Sequence, residues 1–159
     1  NPGAAKGIET EPLLIEDLFL VGPAGSEDPG EKVSFSEVAR RSLILPSRGF
    51  GLREWVENTA RDQEATLNIA FEIDSVATQR ELVESGLGFT ILPYAAVHRA
   101  VEANRLFAAQ ITRPKISRTL TIAYAASHSR NKATRAVREV IDRVVVESVA
   151  ESGGRLQKA

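Results

Sequence analysis

The sequence predicts an α/β fold. Short apolar runs alternate with helical patterns along the chain, and Gly or Pro closes half of those runs. No segment repeats at a solenoid-like period and none is of low complexity. With 159 residues, 43% of them hydrophobic, the chain can fill one sizeable core or two small lobes around a crevice.

The elements follow in order. Leu13 to Val21 is largely apolar, ends at Gly22-Pro23 and predicts a strand. Ala24 to Lys32, rich in Gly, Pro, Ser and Asp, predicts a loop. Ser34 with Glu37 three residues on has the spacing of a capping box and predicts a short helical turn. Ser42 to Leu45 predicts a buried strand stopped by Pro46, with Ser47 to Gly51 as a loop. In Leu52 to Gln63, Leu52, Trp55, Val56 and Ala60 share a helical face, so Trp55 is expected in the core, with a subunit interface as the other reading. Leu67 to Ile73 alternates as a strand, expected to be central. Asp74 or Ser75 caps a helix over Val76 to Ser85, with Gly86 as its C′ residue and Leu87 as the apolar residue after it. Phe89 to Leu92 predicts a strand closed by Pro93, Tyr94 to Ala103 a helix, Leu106 to Ile111 a weak strand and Thr119 to Ala126 a strong one. A last helix over Lys132 to Glu151 carries a stripe of Ala133, Val137, Val140, Ile141, Val144, Val145 and Val149. Ser152 to Ala159 reads as a frayed tail after Gly153-Gly154 stops the helix. Strands alternating with helices favour a parallel sheet, whose ligands bind beyond the carboxyl ends of the strands.

Composition excludes several functions. The 20 Lys and Arg against 21 Asp and Glu leave a net charge of −1, without the basic face that nucleic acid requires, so the chain by itself is expected to bind DNA poorly. The absence of cysteine excludes disulfides, thiolate catalysis and Cys-ligated zinc. No apolar run approaches the length of about 18 residues that a membrane span needs. Asn1 to Gly7 lacks a signal-peptide pattern, and with no Met anywhere the chain reads as a fragment of something longer.

Catalytic motifs are absent: there is no G-x-S-x-G, H-E-x-x-H, P-loop or EF-hand loop, and no enzyme, cofactor or metal is expected. Gly86-Leu87-Gly88 leaves a helix and enters a strand, the reverse of a dinucleotide fingerprint. His98 and His128 are far apart, without metal-ligand spacing, and suit surface or capping roles. Glu54, Glu57, Glu81 and Glu84 are expected on solvated helix faces. The candidate binding residues lie at two strand ends. Ser47 and Arg48 follow the strand at Ser42 to Leu45, where the Arg48 fork suits an anion or is simply exposed. Glu72, Asp74 and Ser75 stand at the next corner, where Asp74 serves as ligand contact or cap, and Ser75 offers a hydroxyl and free helix N–H groups or plain capping. Thr78 is one turn into that helix.

The order of motifs resembles the LysR-type bacterial transcription regulators. Glu11 to Val21 (E-P-L-L-I-E-D-L-F-L-V) is similar to the segment by which these proteins pass from the first effector lobe to the second. Leu82 to Pro93 matches their L-V-x-x-G-x-G-x-x-x-x-P helix-to-strand stretch. Arg118 to Ala123 looks like the strand that crosses back, and the helix with Ala136-Val137-Arg138 like the closing helix. The resemblance spans roughly residues 11 to 147, and within the family it is nearest to regulators of the nitrogen-assimilation-control type.

This resemblance implies a fold like type 2 periplasmic binding proteins, with two lobes joined by crossing strands and an incomplete first lobe. It implies residues 1–17 as a remnant of lobe I and crossover, 18–116 as a complete lobe II, 117–151 as the return strand and closing helix of lobe I, and 152–159 as tail. The expected function is effector sensing in the cytoplasm. A small, anionic molecule between the lobes, touching Ser47, Arg48, Glu72, Asp74, Ser75 and Thr78, would control transcription through a separate N-terminal helix-turn-helix that alone binds DNA. A homodimer or homotetramer of the whole protein is implied, with the strands at Leu14–Val21 and Thr119–Ala126 as hinge. The rival reading is a lobe of a solute-binding protein of a transport system.

Overall fold

A computed structural model describes residues 7–128 and 131–159, apart from the His128 side chain. The expectations for His128 and for residues 1–6 of the lead-in therefore lie outside the described residues. The chain divides into two compact units, one of residues 17–116 and one of residues 1–16 with 117–159.

The larger unit opens with the second half of β1 (Ile8–Pro23), followed by β2 (Lys32–Ser34), α1 (Phe35–Arg40), β3 (Leu43–Leu45) and α2 (Gly51–Asp62). Then come β4 (Ile69–Glu72), α3 (Val76–Glu84), β5 (Thr90–Pro93), α4 (His98–Glu102) and β6 (Leu106–Thr112). The sheet runs in the order β2-β6-β1-β5, and a bridge between Leu43 and Phe89 continues it to the parallel pair β3-β4. The pairing is mixed and not the parallel sheet expected: β1 is antiparallel to both β5 and β6, while β2 is parallel to β6. The expectation failed because β1 enters from the other unit, so its direction is not set by a crossover within this one.

Side chains of β1 alternate between two cores. Leu18 and Leu20 join Val33, Phe35, Val38, Leu43, Leu45 and Val56 on one face. Phe19 and Val21 join Ile44, Val83, Leu92 and Val97 on the other. Helices cover both faces, which is why the second half of β1, β3 and β5 read as unbroken apolar runs instead of alternating ones.

Local signals were followed closely. Ser34 and Glu37 form the capping box, with Ser34 N–H donating to Glu37 Oε2 at 3.0 Å and Glu37 N–H to Ser34 Oγ at 3.3 Å. Gly86, at φ +77°, ends α3 in a Schellman turn, its N–H bonded to Val83 O at 2.9 Å and that of Leu87 to Leu82 O at 3.1 Å.

Other expectations are corrected. β4 is an edge strand of four residues and not a central one, since it pairs only with β3 among the described residues. Tyr94 to Ala103 is not one helix: a 3₁₀ turn (Tyr94–Ala96) is followed by α4, with buried Val97 between them at φ −128°. Trp55 is 51% exposed, because α2 buries Arg53, Val56 and Ala60, a stripe from which position 55 is turned away. Lys32 to Ser34, partly assigned to loop, pairs with β6 as a strand.

The smaller unit holds the first half of β1, β7 (Ser117–Ala125), α5 (Lys132–Glu151) and β8 (Leu156–Lys158). The expected frayed tail is instead this last strand, with Leu14, Ile15 and Glu16 opposite Lys158, Gln157 and Leu156. Of the α5 stripe only Val145 is buried; Val137, Val140 and Val144 are each more than half exposed among the described residues.

Candidate functional site

β3 and β4 run parallel, with Leu45 opposite Glu72, so their carboxyl ends lie side by side. Ser47 and Arg48 leave one end; Glu72, Asp74 and Ser75 leave the other. The two segments are tied directly, as the Ser47 N–H donates to Asp74 Oδ1 at 2.9 Å across 27 residues of sequence. Asp74 therefore braces the neighbouring loop, and Ser75 is the cap: its Oγ accepts from the Thr78 N–H at 3.3 Å. Ile73, between Glu72 and Asp74, donates its N–H to Leu45 O at 2.9 Å.

Sequence reasoning missed what lies beneath. Arg53, on α2, is only 2% exposed. Its Nη1 donates to the Pro46 carbonyl and to Glu72 Oε1, each at 3.0 Å, and its Nε to Glu57 Oε1 at 2.8 Å. Glu57 in turn faces Arg48 Nε at 3.4 Å. Glu57 is thus not on a solvated face, and the Arg53 guanidinium holds its carboxyl below the usual range against the opposing effect of burial. The four-residue spacing of Arg53 and Glu57 was the visible signal; the other two acceptors come from elsewhere in the sequence.

A second missed group holds the corner from the other side. Gln79, 1% exposed, donates from Nε2 to the Ile73 carbonyl at 2.6 Å and accepts at Oε1 from the Thr90 hydroxyl at 2.9 Å.

The accessible surface of this corner is mixed in charge. The Arg48 side chain is 80% exposed and that of Glu72 50%, while Asp74 and Ser75 are exposed and Ser47 and Thr78 half-buried. An open cavity of about 320 Å³ beside α2 and β4 takes in Arg48 but none of the other predicted site residues. Among the described residues no group of His, Asp and Glu is arranged to hold a metal. No helix there is long and apolar enough to cross a membrane. His98 lies with Nδ1 3.0 Å from the Ala95 carbonyl, a local backbone contact.

The smaller unit has a separate polar cluster. Tyr124 OH and Arg138 Nη1 both donate to the Glu11 carboxylate, and Arg138 Nε also reaches Asp142 at 3.0 and 3.1 Å. The bonds from Tyr124 and then Arg138 hold Glu11 below the usual carboxylate range, and the Glu11 bond pushes Tyr124 up to about 12. Beside them is a cavity of about 480 Å³, also lined by Ile122, Ala133 and Val137.

The family model described as the LysR substrate binding domain matches residues 1–145. The nitrogen assimilation regulatory protein Nac of Escherichia coli K12 is 31% identical over 145 residues, covering 91% of this chain and 47% of the relative. Among solved structures, the OxyR C206 mutant of Corynebacterium glutamicum superposes with a TM-score of 0.74 at 25% identity, over 94% of this chain and 47% of that one. The effector binding domain of QuiR, solved in complex with shikimate, shares the fold with a TM-score of 0.75 at 19% identity, over 92% of this chain and 69% of that one. The chain thus spans about half the length of the curated relatives it matches, and these are transcription regulators, which removes the transport-protein reading.

Proposed function

This chain belongs to the LysR substrate binding domain family, and we propose that the corner at Ser47, Arg48, Glu72, Asp74, Ser75 and Thr78 is where it meets a small-molecule effector. The observation that carries the reading is the hydrogen bond from Ser47 N–H to Asp74, which joins two chain segments into one exposed polar surface at the carboxyl ends of parallel strands. Arg48 has one of its donors engaged by Glu57, at 3.4 Å, and its fork suits a carboxylate or phosphate. Glu72 and Asp74 offer acceptor oxygens beside it. The matching effector is an anion that also carries hydroxyl or amino donors.

In the whole protein, a cytoplasmic homo-oligomer, this sensing domain would bias transcription through a separate helix-turn-helix that contacts DNA. An effector shifts such an equilibrium only by its differential affinity for the two states. Arg48→Ala and Ser75→Asn in the intact regulator test the reading through effector-dependent transcription; asparagine keeps the α3 cap while removing the hydroxyl. A weakened response in either supports the assignment, and an unchanged response in both overturns it.

A further inference from the structure

We propose that Arg53 is the positioning residue of this corner: its guanidinium sets the spacing of the two strand ends that present the effector contacts. The inference rests on the corner being the effector site. An arginine in the first turn of a helix opposes the macrodipole; α2 has no side-chain cap at Phe50, and Glu54 is the acidic residue of that turn. Arginine is also rarely buried unless fully paired. Arg53 is buried, and its partners explain the placement. Pro46 immediately precedes Ser47 and Arg48; Glu72 ends β4 two residues before Asp74; Glu57 faces Arg48. One planar group therefore touches both segments and the residue that holds Arg48. A lysine retains the charge but, as a point donor on a flexible stem, cannot hold these three acceptors in one plane.

The Ser47–Asp74 bond alone does not replace this tie, because both of its ends lie in segments that Arg53 restrains. Loss of the fork should loosen Ser47 and Ile73 together while β1 and β6 stay protected. A merely structural arginine would loosen the whole unit.

The test compares the full-length regulator carrying Arg53→Lys, Arg53→Met or Val56→Ala. Val56 is a fully buried residue of the same helix that touches none of the corner residues by hydrogen bond, and serves as the matched destabilising control. Amide hydrogen exchange at Ser47 and Ile73 is the first readout, and effector-dependent transcription in growing cells is the second. At equal overall stability, Arg53→Lys is expected to speed exchange at both amides about tenfold beyond Val56→Ala, the scale of one charge-assisted hydrogen bond. The transcriptional response should weaken in parallel, with Arg53→Met affected more. Corner exchange in Arg53→Lys within about twofold of Val56→Ala overturns the assignment of Arg53. Faster corner exchange with a normal response, together with normal responses of Arg48→Ala and Ser75→Asn, overturns the effector reading instead and leaves Arg53 as a brace of the fold.

Discussion

Replacing Gln79 by Leu removes the amide that joins the Ile73 corner to Thr90 while nearly conserving volume. Gln79 is 1% exposed and Thr90 fully buried, and their bond is 2.9 Å long. Leucine leaves the Thr90 hydroxyl and the Ile73 carbonyl without this partner. Each stranded buried group costs about 1–3 kcal/mol, with Ile73, half-buried, at the low end, so the sum is about 2–4 kcal/mol. In a unit of this size that corresponds to a melting temperature lower by roughly 10 °C or more. Thr90→Val alone strands only Gln79 Oε1 and should cost about 1–2 kcal/mol. The double variant removes both ends of that bond, so it should cost about 1–2 kcal/mol less than the sum of the single ones. Urea unfolding of the four proteins, followed by far-ultraviolet circular dichroism, measures the cycle. Additivity within about 0.5 kcal/mol would refute the coupling, and with it the idea that Gln79 links the corner to β5.

Gly22→Ala places a Cβ 2.5 Å from the Phe107 ring and 2.7 Å from that of Phe89, so it should destabilise the larger unit by about 1–3 kcal/mol in the same unfolding assay. Trp55→Ala, by contrast, should change stability by no more than about 0.5 kcal/mol, since the ring is half exposed and lies off the buried stripe of α2. The Tyr124 pair gives an alkaline signature. Folding raises the phenol from 10.0 to about 12, so its contribution is fully present below pH 10.0 and is lost as pH rises through about 12. Thermal melts across that window should show a loss of stability that Tyr124→Phe lacks.

What the sequence revealed follows the range of each signal. The Ser34–Glu37 box and the Gly86 turn are written within a few residues, and both formed as spaced. Strand order is not local: β4 became an edge strand and Leu156–Lys158 a strand because of partners far away in the chain. Helical periodicity placed Val56 and Ala60 inside, but it ranked Trp55 by hydrophobicity and passed over Arg53, whose burial is made possible by Pro46 and Glu72. The two strand ends of the candidate site were legible because parallel β3 and β4 stop together. The buried groups that hold them, Arg53 and Gln79, were not.

The central claim is that a small molecule is held at this corner. The most direct measurement is a crystal structure of the full-length protein purified from growing cells. Density for a small molecule against Ser47, Arg48 and the Glu72–Ser75 corner is the expected result. A bound effector with no contact to any of these residues would contradict the account.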